Sequence, residues 1–132
     1  MMSVEYTYDE ENNIVYTRFF GVVVDKDLRD QGDAVAADPR IKPGVRELVD
    51  LAGVEEIQGS SNSLEHNIQI DCANSEKLAG MRTAIVAGTD LLFGFSRMYQ
   101  AFSELRGSPL TVEVFRTVEE AREWLGLRGD EV

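Results

Sequence analysis

The sequence predicts an α/β domain built on a mostly parallel sheet, and three observations carry that expectation. Short runs of β-branched and aromatic residues recur along the chain, amphipathic segments of helical period separate the later runs, and no repeat, low-complexity stretch or linker divides them. The resulting order is β-β-α-β-α-β-α-β-α: a mixed five-stranded sheet with an N-terminal β-hairpin and four helices, in a single domain over residues 1–132.

Val4, Tyr6 and Tyr8 alternate with Glu5 and Thr7, and Ile14 to Phe20 is rich in β-branched and aromatic residues. With the polar stretch Asp9 to Asn13 as a turn, the two runs form the hairpin. After Gly21 and a short valine run, Asp25 is placed to cap a helix over Lys26 to Ala37, with Leu28 and Val35 on its buried side and Pro39 enforcing its end. Arg46 to Leu51 and Arg82 to Ala87 read as central strands, because Leu48-Val49 and Ala84-Ile85-Val86 are apolar without alternation. Between them Ser63 to Leu78 carries Leu64, Ile68 and Leu78 at helical spacing among many polar residues. Asp90 starts a third helix, ended by Gly107 and Pro109, whose core face is expected to be Leu91, Phe95, Met98, Phe102 and Leu105. Thr111 to Phe115 is the final strand. Thr117 with Glu120 then forms a capping box for a last helix with Val118, Ala121, Trp124 and Leu125 on one face. Right-handed crossovers place helices on both sides of the sheet.

Acids outnumber bases 24 to 13, for a net charge of −11. A nucleic-acid binder needs Lys and Arg to displace phosphate counterions, so nucleic acid is not an expected partner. The acidic balance also argues against electrostatic attachment to anionic lipid, so any peripheral membrane contact has to be apolar and transient. The one cysteine, Cys72, has no thiol partner, which fits a reducing cytoplasm. The N-terminus lacks the basic and apolar regions of a signal peptide, and no stretch approaches the ~18 apolar residues of a membrane span.

Catalytic chemistry finds few residues to work with. No Gly-x-Ser-x-Gly elbow occurs, and any Ser-His-acid triad has to use His66, which lies on a polar helix where a solvated histidine is the ordinary reading. One His and one Cys exclude an ordinary zinc site. Asp25 to Asp30 starts like a calcium loop but has Arg29 at a ligand position and Asp30 where glycine is required. No phosphate-binding glycine loop is present. The expectation is a protein that is not an enzyme and needs no cofactor or metal.

Two features remain. The segment Ala52 to Asn62 reads as a loop after a central strand, entering a helix through Gly59-Ser60-Ser61-Asn62-Ser63. Ligands and anions favour that position in open α/β sheets, and its serines are phosphorylation candidates, while capping by Ser61, Asn62 or Ser63 explains the same residues. The other feature is the third helix, where Leu92, Phe93 and Tyr99 are surplus to the expected core face. With the weakly amphipathic second helix beside them they suggest either a cleft for an apolar ligand or a covered patch.

The runs Gly21 to Leu28, Leu48 to Leu51, Arg82 to Ala87, Ser96 to Phe102 and Val114 to Thr117, closing on Glu-Ala-x-x-Trp-Leu at Glu120 to Leu125, resemble the SpoIIAA-like branch of the STAS superfamily. The resemblance covers nearly the whole chain and implies a STAS-like fold and a regulatory, non-enzymatic binding domain. In the wider superfamily a regulatory serine lies in an Asp-Ser-Ser-Gly-like segment, against which this chain has Gln58-Gly59-Ser60-Ser61-Asn62, so Ser60 and Ser61 become the candidates for phosphorylation or partner contact. The branch is also similar in shape to CRAL-TRIO lipid carriers, which implies an apolar cleft between the second and third helices. Leu64, Ile68, Leu92, Phe93, Phe95 and Tyr99 are its expected lining. The leading expectation is thus a module that engages a protein partner; the alternative is a carrier or sensor of a small apolar ligand or lipid.

Overall fold

The computed structural model describes residues 3–127. Its elements are β1 (Val4–Asp9), β2 (Ile14–Val24), α1 (Asp25–Ala37), β3 (Arg46–Gln58), α2 (Ser61–Ala73), β4 (Arg82–Val86), α3 (Asp90–Leu105), β5 (Thr111–Phe115) and α4 (Val118–Leu125). The strands lie in the order β1-β2-β3-β4-β5, with β1 antiparallel to β2 and every later pair parallel.

Sequential parallel strands joined by crossovers of one hand send every connecting helix to the same side. Residues of α1, α2 and α3 accordingly meet one face of the sheet, in a core that includes Val15, Val23, Val49, Ile85 and Leu92. Among the described residues only α4 covers the other face, where Ala121 and Leu125 pack on Leu48, Ala84 and Val86. The alternation of Leu48 and Val49 between the two cores follows from the two-residue period of a strand. Thr117 caps α4 as expected, accepting from the Glu120 amide at 3.3 Å, but the Glu120 carboxylate accepts from the threonine hydroxyl rather than from the backbone.

Three expectations are corrected. Asp25 is the first residue of α1 and not its cap: the Asp27 carboxylate accepts from the Val24 amide at 2.9 Å, and the Asp25 carboxylate is used elsewhere. The expected loop from Ala52 is strand as far as Gln58. Of β3, Arg46 to Asp50 alone pair with β4, and past that point β3 continues beside Phe20 to Val24 of β2 as a two-stranded ribbon, after register shifts between Arg18 and Val22. The polar residues Glu55 and Glu56 resembled a loop because this ribbon has exposed positions that a central strand lacks. Finally, α2 ends at Ala73, where Asn74 takes the C-cap; Leu78 is buried from the turn that follows.

The inward face of α3 is also not the expected one. Leu91 and Leu105 are 70% and 76% exposed, whereas Leu92, Ser96, Gln100 and Ser103 are buried. Polar residues tolerate this position when their hydrogen bonds are met inside. Gln100 meets this condition by donating to the Val112 carbonyl at 2.8 Å and to Glu113 at 3.1 Å.

Candidate functional site

The alternation that sends Leu48 toward α4 sends Glu47, Val49 and Leu51 toward α1, α2 and α3. There the side chains do not close. They leave a cavity of about 80 Å³ between the sheet and the three helices. Its walls are mainly apolar: Phe19 and Val23 of β2, Val49 of β3, Leu28 of α1, Leu64 of α2 and Phe95 of α3. Val54 and Ile57 of the ribbon extend the lining outward.

Gly59 shapes one end. A Cβ there would stand 3.0 Å from both Leu28 Cδ1 and Phe95 Cζ, so glycine lets the β3–α2 connection lie directly on two lining side chains. That connection is pinned from α1. The Asp25 carboxylate accepts from the Ser60 amide at 2.7 Å and from the Ser60 hydroxyl at 2.9 Å, and the first of these bonds does most to hold the Asp25 carboxyl below its usual range. Ser60 therefore occupies the N-cap position of α2 with its own hydroxyl turned to Asp25, and Ser63 donates to the Ser60 carbonyl at 3.0 Å. None of Ser61, Asn62 and Ser63 acts as the expected cap, because a neighbouring helix supplies the acceptor. Ser61 is exposed.

The inner part of the cavity is polar. Glu47, 5% exposed, lines it and accepts from Gln31 at 2.8 Å, Thr83 at 3.2 Å and Thr17 at 3.3 Å. Burial pushes its carboxyl up to about 7; the three donors pull against this and the charge of Asp71 adds to it. Asp71, also buried, accepts from the Tyr99 hydroxyl at 2.9 Å, and its burial raises it to about 6 despite that bond. Burial, followed by the charge of Asp71, moves the Tyr99 phenol well above its ordinary value.

Two further polar residues, Asn67 and Ser96, are among the lining. Asn67 donates through Nδ2 to the Leu28 carbonyl at 3.0 Å, which leaves its buried Oδ1 without a hydrogen bond. Its amide fits there because Gly32 on α1 presents no Cβ, which would overlap it. Ser96, 3% exposed, lines the cavity, and its hydroxyl has no hydrogen bond among the described residues.

Of the residues expected to line a cleft, Leu64, Phe95 and Tyr99 do so. Ile68 and Leu92 are buried outside the lining, and Phe93 is half-buried with the Arg116 guanidinium 4.2 Å above its ring. Sequence reasoning missed Glu47, Gln31, Thr17, Thr83, Asp71, Asn67 and Ser96. A signal existed for Glu47, a lone acid directly before Leu48-Val49 in a predicted central strand; Ser96 and Asn67 had none. His66 lies outside the site, its Nε2 2.9 Å from Asp33. Among the described residues no helix is long and apolar enough to cross a membrane.

No family model and no curated protein matches the chain. Among solved structures it is similar to an uncharacterized protein from the DUF3478 family with a SpoIIAA-like fold, from Shewanella loihica PV-4. The two share 14% identity over 92% of this chain and 91% of that one, with a TM-score of 0.57. The fold of this chain is accordingly SpoIIAA-like, and at that identity the likeness extends to fold alone.

Proposed function

We propose that the protein is a non-enzymatic binding module whose ligand is a small, mainly apolar molecule held in the cavity between the sheet and α1, α2 and α3. The observation that carries this reading is the pairing of mainly apolar walls with the buried Glu47 carboxylate, which lines them and whose three protein donors leave one acceptor site on Oε1 open. A pocket with apolar walls and a few convergent polar groups is the usual form of a ligand site. Binding without chemistry fits a lining that contains no histidine, cysteine or lysine.

A titration of the 15N-labelled protein with 1-butanol tests the proposal. Saturable shifts are expected to concentrate at Val49, Leu64, Phe95 and Ser96, and Val49→Phe, which fills the cavity, is expected to remove them. Shifts spread over the surface, or shifts that survive Val49→Phe in a folded variant, would overturn it.

A protein partner is the second reading, and it is the outward side of α3 that favours it. Leu91, Met98 and Leu105 recur at seven-residue spacing on that side, the two leucines largely exposed and Met98 half-buried. An apolar stripe with heptad spacing suits a partner helix. A protein captured by the wild-type chain is expected to be lost with the double variant Leu91→Glu, Leu105→Glu, and an unchanged set of captured proteins rules this reading out.

A further inference from the structure

We infer that the cavity selects its apolar ligand by head group and takes a primary ammonium on a short hydrocarbon chain. The inference rests on the proposal that the cavity is a ligand site and adds the chemistry of what enters it.

The argument begins with unused hydrogen-bonding capacity. An ionised carboxylate offers about four acceptor sites. Glu47 uses two on Oε2, for Thr17 and Gln31, and one on Oε1, for Thr83, so Oε1 retains an acceptor. The Ser96 hydroxyl, also among the lining, can accept as well. To such acceptors a hydroxyl ligand brings one donor, whereas an ammonium brings three.

Charge points the same way. Glu47 is the one charged residue of the lining, and no Lys or Arg is among the lining residues. A carboxylate head group would meet Glu47 at close quarters in a low-dielectric site with nothing to neutralise it, whereas an ammonium would supply the missing counter-charge. The other ionisable groups facing Glu47 are Asp71 of α2, Tyr99 of α3 and Tyr6 of β1, and none brings a positive charge. Ten of the sixteen lining residues are apolar, so the rest of the ligand has to be hydrocarbon.

A consequence is proton release. An ammonium favours ionised Glu47, whose folded value lies at about 7, so affinity for an amine rises with pH through that region and a neutral probe shows no such dependence. Asp71, at about 6, acts in the same direction at the lower end.

Calorimetric and NMR titrations of the wild-type protein with 1-butylamine, 1-butanol and butyrate test the idea without any substitution. At pH 8 butylamine is expected to bind about tenfold more tightly than butanol, the worth of one charge-assisted bond, and butyrate not detectably. Butylamine affinity is expected to fall about tenfold between pH 8 and pH 6, with a proton released on binding. In Glu47→Gln the amine-to-alcohol preference is expected to fall toward one. If butanol and butyrate bind as well as butylamine, the head-group inference fails and the ligand site stands. If none of the three binds at the cavity, both fail.

Discussion

Glu47→Gln is expected to stabilise the folded protein at pH 8 by about 3 kcal/mol, raising Tm by on the order of 10 °C, and to leave stability at pH 4 nearly unchanged. The folded state holds the Glu47 carboxyl at about 7 against an ordinary 4.5, so it binds that proton more tightly than the unfolded chain does. Stability conferred by such a group is complete below the unfolded value and is lost as pH rises from about 4.5 through 7. Asp71, raised from 3.8 to about 6, contributes in the same sense over a lower window. Asp38 and Asp25 act oppositely. The Arg40 guanidinium beside Asp38, and the Ser60 amide on Asp25, depress these carboxyls, so their contribution is lost as pH falls through their folded values. The wild-type stability curve, measured by urea unfolding at a series of pH values, is therefore expected to peak at about pH 5 and to decline toward neutrality. Release of the general repulsion in a chain of net charge −11 has the same sign on the alkaline side. Exposed Glu119 provides the control: if Glu119→Gln flattens the curve as much as Glu47→Gln does, burial of Glu47 is not its cause.

Tyr99→Phe is expected to cost about 2 kcal/mol at pH 8 and about half of that at pH 4. Among the described residues Tyr99 donates the one hydrogen bond that reaches the buried Asp71 carboxylate. Removing the phenol leaves a buried charge unmet at pH 8, where Asp71 is ionised in both states, and only a weaker neutral bond is lost once Asp71 is protonated. In Asp71→Asn the further change Tyr99→Phe should lose its pH dependence. Urea unfolding of the four-member cycle at the two pH values checks this, and a pH-independent cost in the wild-type background would show that Tyr99 acts through packing alone.

The strands and helices were legible where one simple period ran through a segment. Leu28 and Val35 marked α1, Ala121 and Leu125 marked α4, and the apolar runs of β3 and β4 marked the middle of the sheet. The period misled on α3, because hydrophobicity alone assigns Leu91 and Leu105 to the core, whereas the fold turns Ser96, Gln100 and Ser103 inward and satisfies Gln100 on β5. The ribbon beyond Asp50 was illegible for a related reason: with no β4 to cover it, its composition is that of a loop. The apolar half of the candidate site was partly visible through Leu64, Phe95 and Tyr99. Its polar half was not, since Thr17, Gln31, Glu47 and Thr83 come from four elements and only the strand register brings them together.

The strand order β1-β2-β3-β4-β5 has a consequence for how the chain folds. Each strand pairs with the one just before it in sequence, so no strand has to wait for a distant segment and every new pairing closes only one helix and its two connections. Loop-closure entropy is thus met in small successive steps. Topologies dominated by such short-range pairings fold faster than those that join remote strands. The sheet can grow outward from the N-terminal hairpin in the order of synthesis, and the cavity is enclosed only when α3, the last of its walls, is laid down.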